Sequence, residues 1–225
     1  MKFISFKHDN IEKFGIIENN LITDLTGKIG AASNLKELIK IKKIKEAKEY
    51  AKSNPGSIKT EEIEYSPLIP NPGKIICVGL NYIEHAKETN RTVEENPVIF
   101  HRFPESQTAH MQAIQRPSVS KSLDFEGEMA VIMDEGGKHI KSEEALKHVV
   151  GFSCYNESTI REWQRHTRQF GMGKNFEKTG SFGPHMVLAQ DIPDYKRLTI
   201  ETRLNGEVMQ NAKLSQLIFD IPILI

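Results

Sequence analysis

The sequence predicts an α+β fold, mainly β, with a small N-terminal α+β domain ahead of a larger strand-rich one. Short alternating apolar runs punctuated by Asn and Gly recur along the chain. A long helical period occurs near the N-terminus. The regular strand–helix alternation of a doubly wound sheet is missing.

Residues 1–24 read as hairpin strands. "MKFISFKHDN" alternates, and "EKFGIIENN" and "LITDLT" follow. Residues 33–53, "SNLKELIKIKKIKEAKEYAKS", have one continuous helical period, with Ser33 or Asn34 as N-cap. Their lysines read as a solvated face rather than an RNA-binding one. "SNPGS" then breaks the chain, and "YSPLIPNPGK" supplies three prolines. This places a boundary near residue 70, between a domain of residues 1–70 and one of residues 71–225.

Beyond it, "KIICVGL" reads as a buried strand. "NYIEHAKET" reads as a short helix with Asn81 as N-cap and Glu84 completing a capping box. "PVIFHRF", "SLDFEGEMAVIM" and "GFSCYNES" are strands, the last running into a polar turn. "KSEEALKHVVG" is a helix capped by Ser142, and "TIREWQRHTRQF" has helical character. "GSFGPHMVLA" and "RLTIETRLNGEVMQ" are turn-and-strand material, with Asn205–Gly206 a strong hairpin signal. "LSQLIFDIPILI" begins as a helix or turn.

The bulk properties exclude several classes. Thirty basic residues balance thirty acidic ones, which argues against a general nucleic-acid binder. With 38% hydrophobic and 27% charged residues, the composition is that of a soluble globular protein. No leader-like apolar segment and no run of membrane-spanning length occurs. Cys77 and Cys154 lie in apolar runs and read as buried free thiols, as expected of a reducing cytoplasm.

The most informative spacing is "DFEGEMAV". Glu126 and Glu128, two apart on a strand, share a face, and the apolar "MAVIM" that follows carries that strand into a core. Adjacent carboxylates at a core's mouth repel unless a cation or a shared proton intervenes. Oxygen ligands suit Mg²⁺ or Mn²⁺, with Ca²⁺ a third candidate. Glu157, ending a strand at a polar turn, is the best third ligand, and Asp124 the runner-up. His85 and Glu88, three apart in "GLNYIEHAKE", form either a solvated helix start or a catalytic pair. Trp163 and Phe170 read as packing, with a pocket wall as the alternative. "GMGK" at Gly171–Lys174 lacks the context of a phosphate loop.

Taken together, "KIICVGLNYIEHAKE", "PVIFHRFPESQ", "SLDFEGEMAVIM", "HVVGFSCYNESTIREWQ", "GKNFEKTGSFGP" and "LNGEVMQNAKLSQLIFDIPILI" resemble, in order, the fumarylacetoacetate hydrolase family. The resemblance covers roughly residues 73 to 225 and implies that family's mixed β-sandwich roll. It implies a divalent metal on Glu126 and Glu128. The family's usual third ligand is an Asp after an Asn, and here Glu157 follows Asn156. It implies a His85–Glu88 dyad that takes a proton from water, substrate binding by Arg161 and Gln164, and charge stabilisation by Lys174. Without a metal, the last three would read as a surface hydrogen-bond network. The implied activity is hydrolytic C–C cleavage of a 2-oxo or 1,3-dicarbonyl acid of the acylpyruvate or fumarylacetoacetate type, in a cytoplasmic homodimer. An isomerase, decarboxylase or lyase using the same site is the alternative. The chain stops at "DIPILI", before strands and a Gly-Thr-Pro turn typical of the family, so a truncated and inactive form is a third expectation.

Overall fold

The computed structural model describes residues 1–83 and 95–225. The expected helix of residues 81–89 therefore falls largely outside the described residues, and with it Glu84, His85 and Glu88.

Two tight hairpins open the chain. Strands β1 (Lys2–His8) and β2 (Ile11–Glu18) pair through Asp9–Asn10, and β2 pairs with β3 (Leu21–Asp24) through Asn19–Asn20. All four turn residues have positive φ, the conformation that two-residue hairpin turns need and that Asn and Asp tolerate. Strands β4 (Ile58–Lys59) and β5 (Glu64–Tyr65) complete a five-stranded sheet in the order β4-β3-β2-β1-β5.

The single helix expected over residues 33–53 is two helices, α1 (Leu35–Lys40) and α2 (Ile44–Ser53). Asn34 caps the first, its side chain accepting from the Glu37 N–H. Lys42 takes a positive φ of 58° and turns the chain, so that Leu38 and Ile39 of one helix and Ala47 and Ala51 of the other reach the same core. Tertiary packing thus overrides a helical period that is unbroken in the sequence.

A second set of strands follows: β6 (Ile75–Gly79) pairs with β7 (Val98–Arg102), and β9 (Leu123–Asp124) with β12 (Thr159–Ile160). The sheet that matters for function has the order β10-β11-β13-β8, from β10 (Gly127–Met133), β11 (Val149–Glu157), β13 (Gly180–Phe182) and β8 (Gln107–Ala109). Strand β14 (Val187–Leu188) also pairs with β11. Helix α3 (Ser142–Ala145) precedes β11. Ser142 is its first residue rather than its cap: Lys141 occupies the capping place, and no side chain caps that end. Of "TIREWQRHTRQF", only Arg161–Gln164 (α4) is helical, and α5 is the single turn Gly171–Lys174.

The hairpin of β15 (Thr199–Leu204) and β16 (Glu207–Lys213) turns at Asn205–Gly206, with φ of 52° and 89°. A last turn, α6 (Ile221–Leu224), packs Ile221 under β11 with Phe152 and Tyr195. This layer covers Phe152 but not Cys154 on the same strand, so Cys154 is exposed; Cys77, on β6, is only partly buried, and both differ from the expectation of two buried thiols.

The main core is continuous across residue 70. Phe3, Phe14 and Leu38 from the first sheet and its helices join Ile132, Tyr155, Phe182 and Met186 from the second. Phe3 and Met186 exchange backbone hydrogen bonds of 3.0 and 2.8 Å, and Ser5 Oγ donates to the Leu68 carbonyl.

Gly127 opens β10 between the two glutamates, and a Cβ there would stand 2.0 Å from Thr202 Oγ1 of β15. Its N–H also donates to Gln210 Oε1 of β16. Gly127→Ala is expected to push the hairpin away and to cost about 1–3 kcal/mol, as overpacking does. A lowered thermal midpoint in scanning calorimetry checks this; an unchanged midpoint contradicts it.

Candidate active site

Four segments converge on a cluster of buried charge. Glu126 precedes β10 and Glu128 lies within it, two residues apart. Glu157 ends the neighbouring β11, and its N–H donates to the Glu126 carbonyl at 2.7 Å. Asn156 fixes the same corner, accepting from the Glu126 N–H. Lys174 ends α5 and is almost wholly buried, at 1% exposure.

Lys174 Nζ donates to Glu126 Oε2 at 2.7 Å and stands 3.2 Å from Glu157 Oε2. The ammonium also lies 5.0 Å from the centre of the Phe100 ring, a cation–π arrangement. Arg161, the first residue of α4, reaches Glu126 Oε1 at 2.5 Å and Asp124 Oδ2 at 2.6 Å. Its Nη1 also donates to Gln164 Oε1 at 3.0 Å, one helical turn on. Thr159 Oγ1 donates to Glu126 Oε1. Asp124 therefore serves as Arg161's partner, while Glu126, Glu128 and Glu157 form the acidic cluster.

The glycines of "GMGK" have a packing role. A Cβ on Gly173 would stand 2.5 Å from the Gln164 backbone N and 2.6 Å from the Ile160 carbonyl. Only glycine lets α5 come close enough to α4 for Lys174 to reach Glu126.

The charges do not balance. Among the described residues, four acids, Asp124, Glu126, Glu128 and Glu157, stand against three cations, Arg102, Arg161 and Lys174. Glu128 bears the deficit. Part of its surface still meets solvent, yet protein rings the carboxyl on most sides. Burial first, then repulsion from Glu157 and Glu126, pushes it up to about 8. Burial likewise raises Glu157, against the lowering effect of Lys174 and Arg102. As they stand, the described residues gather no three His, Cys, Asp or Glu side chains closely enough to enclose an ion. The donor set nonetheless fits a hard divalent cation: three carboxylates share one corner, and all offer oxygen.

Arg161, Gln164 and Lys174 thus join the glutamates in one network. His85 and Glu88 lie outside the described residues. Arg102, at the end of β7, is a member that the sequence does not mark out, its one signal being a charge closing an apolar strand. Beside the cluster, Phe100 forms a wall shared with a cavity of about 710 Å³ that Trp163, Phe170 and Phe176 also line. Trp163 and Phe170 are therefore pocket walls as well as packing residues.

Residues 74–225 match the family model described as fumarylacetoacetate (FAA) hydrolase C-terminal. The chain is 37% identical over 163 residues to oxaloacetate tautomerase Fahd2a, mitochondrial, of Rattus norvegicus, which covers 72% of this chain and 52% of that protein. It is 38% identical over 168 residues to oxaloacetate tautomerase YisK of Bacillus subtilis, covering 73% of this chain and 56% of that one. The chain thus spans about half the length of the curated relatives it matches. Among solved structures, a fumarylacetoacetate hydrolase from Exiguobacterium antarcticum superposes with a TM-score of 0.86 at 29% identity, covering 100% of this chain and 79% of that one. A maleylpyruvate hydrolase from Sphingobium sp. SYK-6, in complex with manganese(II) ion and pyruvate, superposes at 0.83 with 21% identity, covering 100% and 81%; it shows a shared fold.

The raised Glu128 carboxyl has a consequence for stability. Below about pH 4.5 the group is protonated in both folded and unfolded chains. Between there and about 8 the unfolded chain releases a proton that the folded one keeps, so the metal-free protein loses stability as pH rises through that window. Melting curves from pH 5 to 8 should show a midpoint falling with pH in the unmodified protein and a flatter one in Glu128→Gln. Parallel pH dependences in the two would contradict the assignment.

Proposed function

The chain belongs to the fumarylacetoacetate hydrolase family, and from that premise we propose that it is a divalent-metal-dependent enzyme acting on small 2-oxo acids, with keto–enol tautomerisation of an oxaloacetate-like diacid as its reaction. The observation that carries the reading is the corner where Glu126, Glu128 and Glu157 meet Lys174 and Arg161. Identity of 37–38% to two oxaloacetate tautomerases supports that reaction among those the family performs.

Glu126, Glu128 and Glu157 would hold Mg²⁺ or Mn²⁺, which supplies Lewis-acid polarisation of the oxygens of a bound 2-oxo acid. The maleylpyruvate hydrolase that shares the fold binds manganese(II) and pyruvate, in agreement with that choice. Arg161 presents a guanidinium whose planar fork suits a substrate carboxylate. Gln164 holds that guanidinium in place from the next turn. Lys174, held between two carboxylates, offers a positive centre to an oxygen gaining negative charge. The proton is moved by His85, oriented by Glu88, an assignment carried by the family resemblance.

Hydrolytic C–C cleavage of an acylpyruvate is the second reading. It uses the same charge stabilisation and differs in having water, activated at His85, attack a second carbonyl. A fumarylacetoacetate hydrolase of 29% identity among the structural neighbours supports it. A homodimer and a cytoplasmic location belong to the same proposal. Among the described residues, no helix is long and apolar enough to cross a membrane.

Oxaloacetate enol decay, followed by ultraviolet absorbance with Mg²⁺ or Mn²⁺, tests the first reading, and an acylpyruvate panel tests the second. Glu126→Gln, Lys174→Met and His85→Ala should each lower turnover by about 10²-fold or more, the scale of a lost charge stabiliser or general base. Full activity in Glu126→Gln would sink the metal site, and turnover of neither substrate would sink the reaction class.

Glu157 is the departure from the family pattern. Magnesium titrated into Glu157→Gln should bind at least about tenfold more weakly than into the unmodified chain. Unchanged affinity would remove Glu157 from the ligand set. Glu157→Gln is preferable to Glu157→Ala because it keeps an oxygen acceptor for the buried Arg102.

A further inference from the structure

Arg102 is enclosed on all sides, with its side chain fully buried. Its donors are directed in three directions. Nε points to Ser106 Oγ at 3.2 Å, Nη2 to Thr179 Oγ1 at 2.7 Å, and Nη1 to both the Ser158 carbonyl and Glu157 Oε1 at 3.2 Å. The Tyr155 ring lies against it, 5.9 Å from centre to guanidinium carbon. Room for this comes from Gly180, where a Cβ would stand 2.9 Å from Nη2 and 2.3 Å from the Tyr155 hydroxyl.

A guanidinium cannot discharge, so its burial needs a partner charge and filled donors. Arg102 has one acid partner among the described residues, Glu157. That contact takes Oε1, while Oε2 faces Lys174 and, through it, Glu126. The two oxygens of Glu157 therefore have different duties. A glutamate has one more rotatable bond than an aspartate, and an extra anchor is what removes that freedom.

We propose that Arg102 is a positioning residue for the third ligand: it holds Glu157 Oε1 so that Oε2 alone is presented to a divalent cation. Ser106 and Thr179 keep the guanidinium from following the carboxylate. Gly180 leaves it the space. The inference rests on the metal site proposed above and adds a residue to the support of that site.

Electrostatics alone gives the opposite sign. Removing a positive charge near a cation site should tighten metal binding, whereas losing a positioning contact should weaken it. The test is calorimetric titration of Mg²⁺, and separately Mn²⁺, into the substrate-free full chain carrying Arg102→Met, Arg102→Lys or Thr179→Val, each with its folding checked by circular dichroism. Arg102→Met should weaken binding by about tenfold or more. Arg102→Lys, which keeps the charge without the fork, should recover part of the loss. Thr179→Val, which leaves the arginine in place and removes its 2.7 Å acceptor, should shift affinity the same way by less. In the Arg102→Met background, Glu157→Asp should add little further loss, because both changes undo one contact.

Affinity in Arg102→Met within twofold of the unmodified chain, or tighter, overturns the proposal. Should Arg102→Met not fold, unchanged affinity in Thr179→Val overturns it instead. No metal binding by the unmodified chain overturns the metal site and this inference together; binding that ignores Arg102 overturns this inference alone.

Discussion

The buried ammonium of Lys174 between Glu126 and Glu157 is the contact on which the site depends. It joins the start of β10, the end of β11 and the end of α5, three segments far apart in sequence. Two carboxylates brought this close into a protein interior would repel and take up protons. One shared cation lets the corner form. Arg102 and Arg161 flank the pair from behind and from the front, so each oxygen of Glu126 and Glu157 has a positive or donating neighbour. Among the described residues Glu128 has no such partner, and burial first, then repulsion from Glu157 and Glu126, raises its carboxyl.

Such a corner is expensive to build. Breaking a buried ion pair by removing one partner typically costs about 3–5 kcal/mol, because the other charge is stranded. The surrounding backbone is accordingly shaped by glycine at three contacts: Gly127 under Thr202, Gly173 against Gln164, and Gly180 beside Arg102. In each case a methyl group would displace a segment that carries or backs one of the charged residues. The shape of the site is thus encoded as much by absent side chains as by present ones.

The hairpins were legible because their turns need positive φ and the sequence places Asp-Asn, Asn-Asn and Asn-Gly there. The acidic pair was legible because the period of two brings Glu126 and Glu128 to one face. Arg161 and Lys174 could be connected to those acids through the resemblance alone, since the approach of α4 to α5 is a tertiary event. The break at Lys42 was hidden, because an unbroken helical period says nothing about where the core lies. Cys154 was misread for a related reason: burial on β11 is decided by how far the covering layer extends, which a strand's own residues do not show. Arg102 looked like the edge of an apolar strand, and its purpose is visible once Glu157 and Thr179 are seen around it.

The family connection and the geometry meet at one point. Relatives called oxaloacetate tautomerases and neighbours called hydrolases or isomerases differ in name, and in this chain the corner of Glu126, Glu157, Lys174 and Arg161 brings together carboxylate oxygens, an ammonium and a forked guanidinium. The most direct measurement is anomalous diffraction at the manganese edge from crystals of the full chain soaked with Mn²⁺ and pyruvate. The predicted result is a peak among the carboxylates of Glu126, Glu128 and Glu157, with pyruvate density between it and Arg161. No peak in that corner would contradict it.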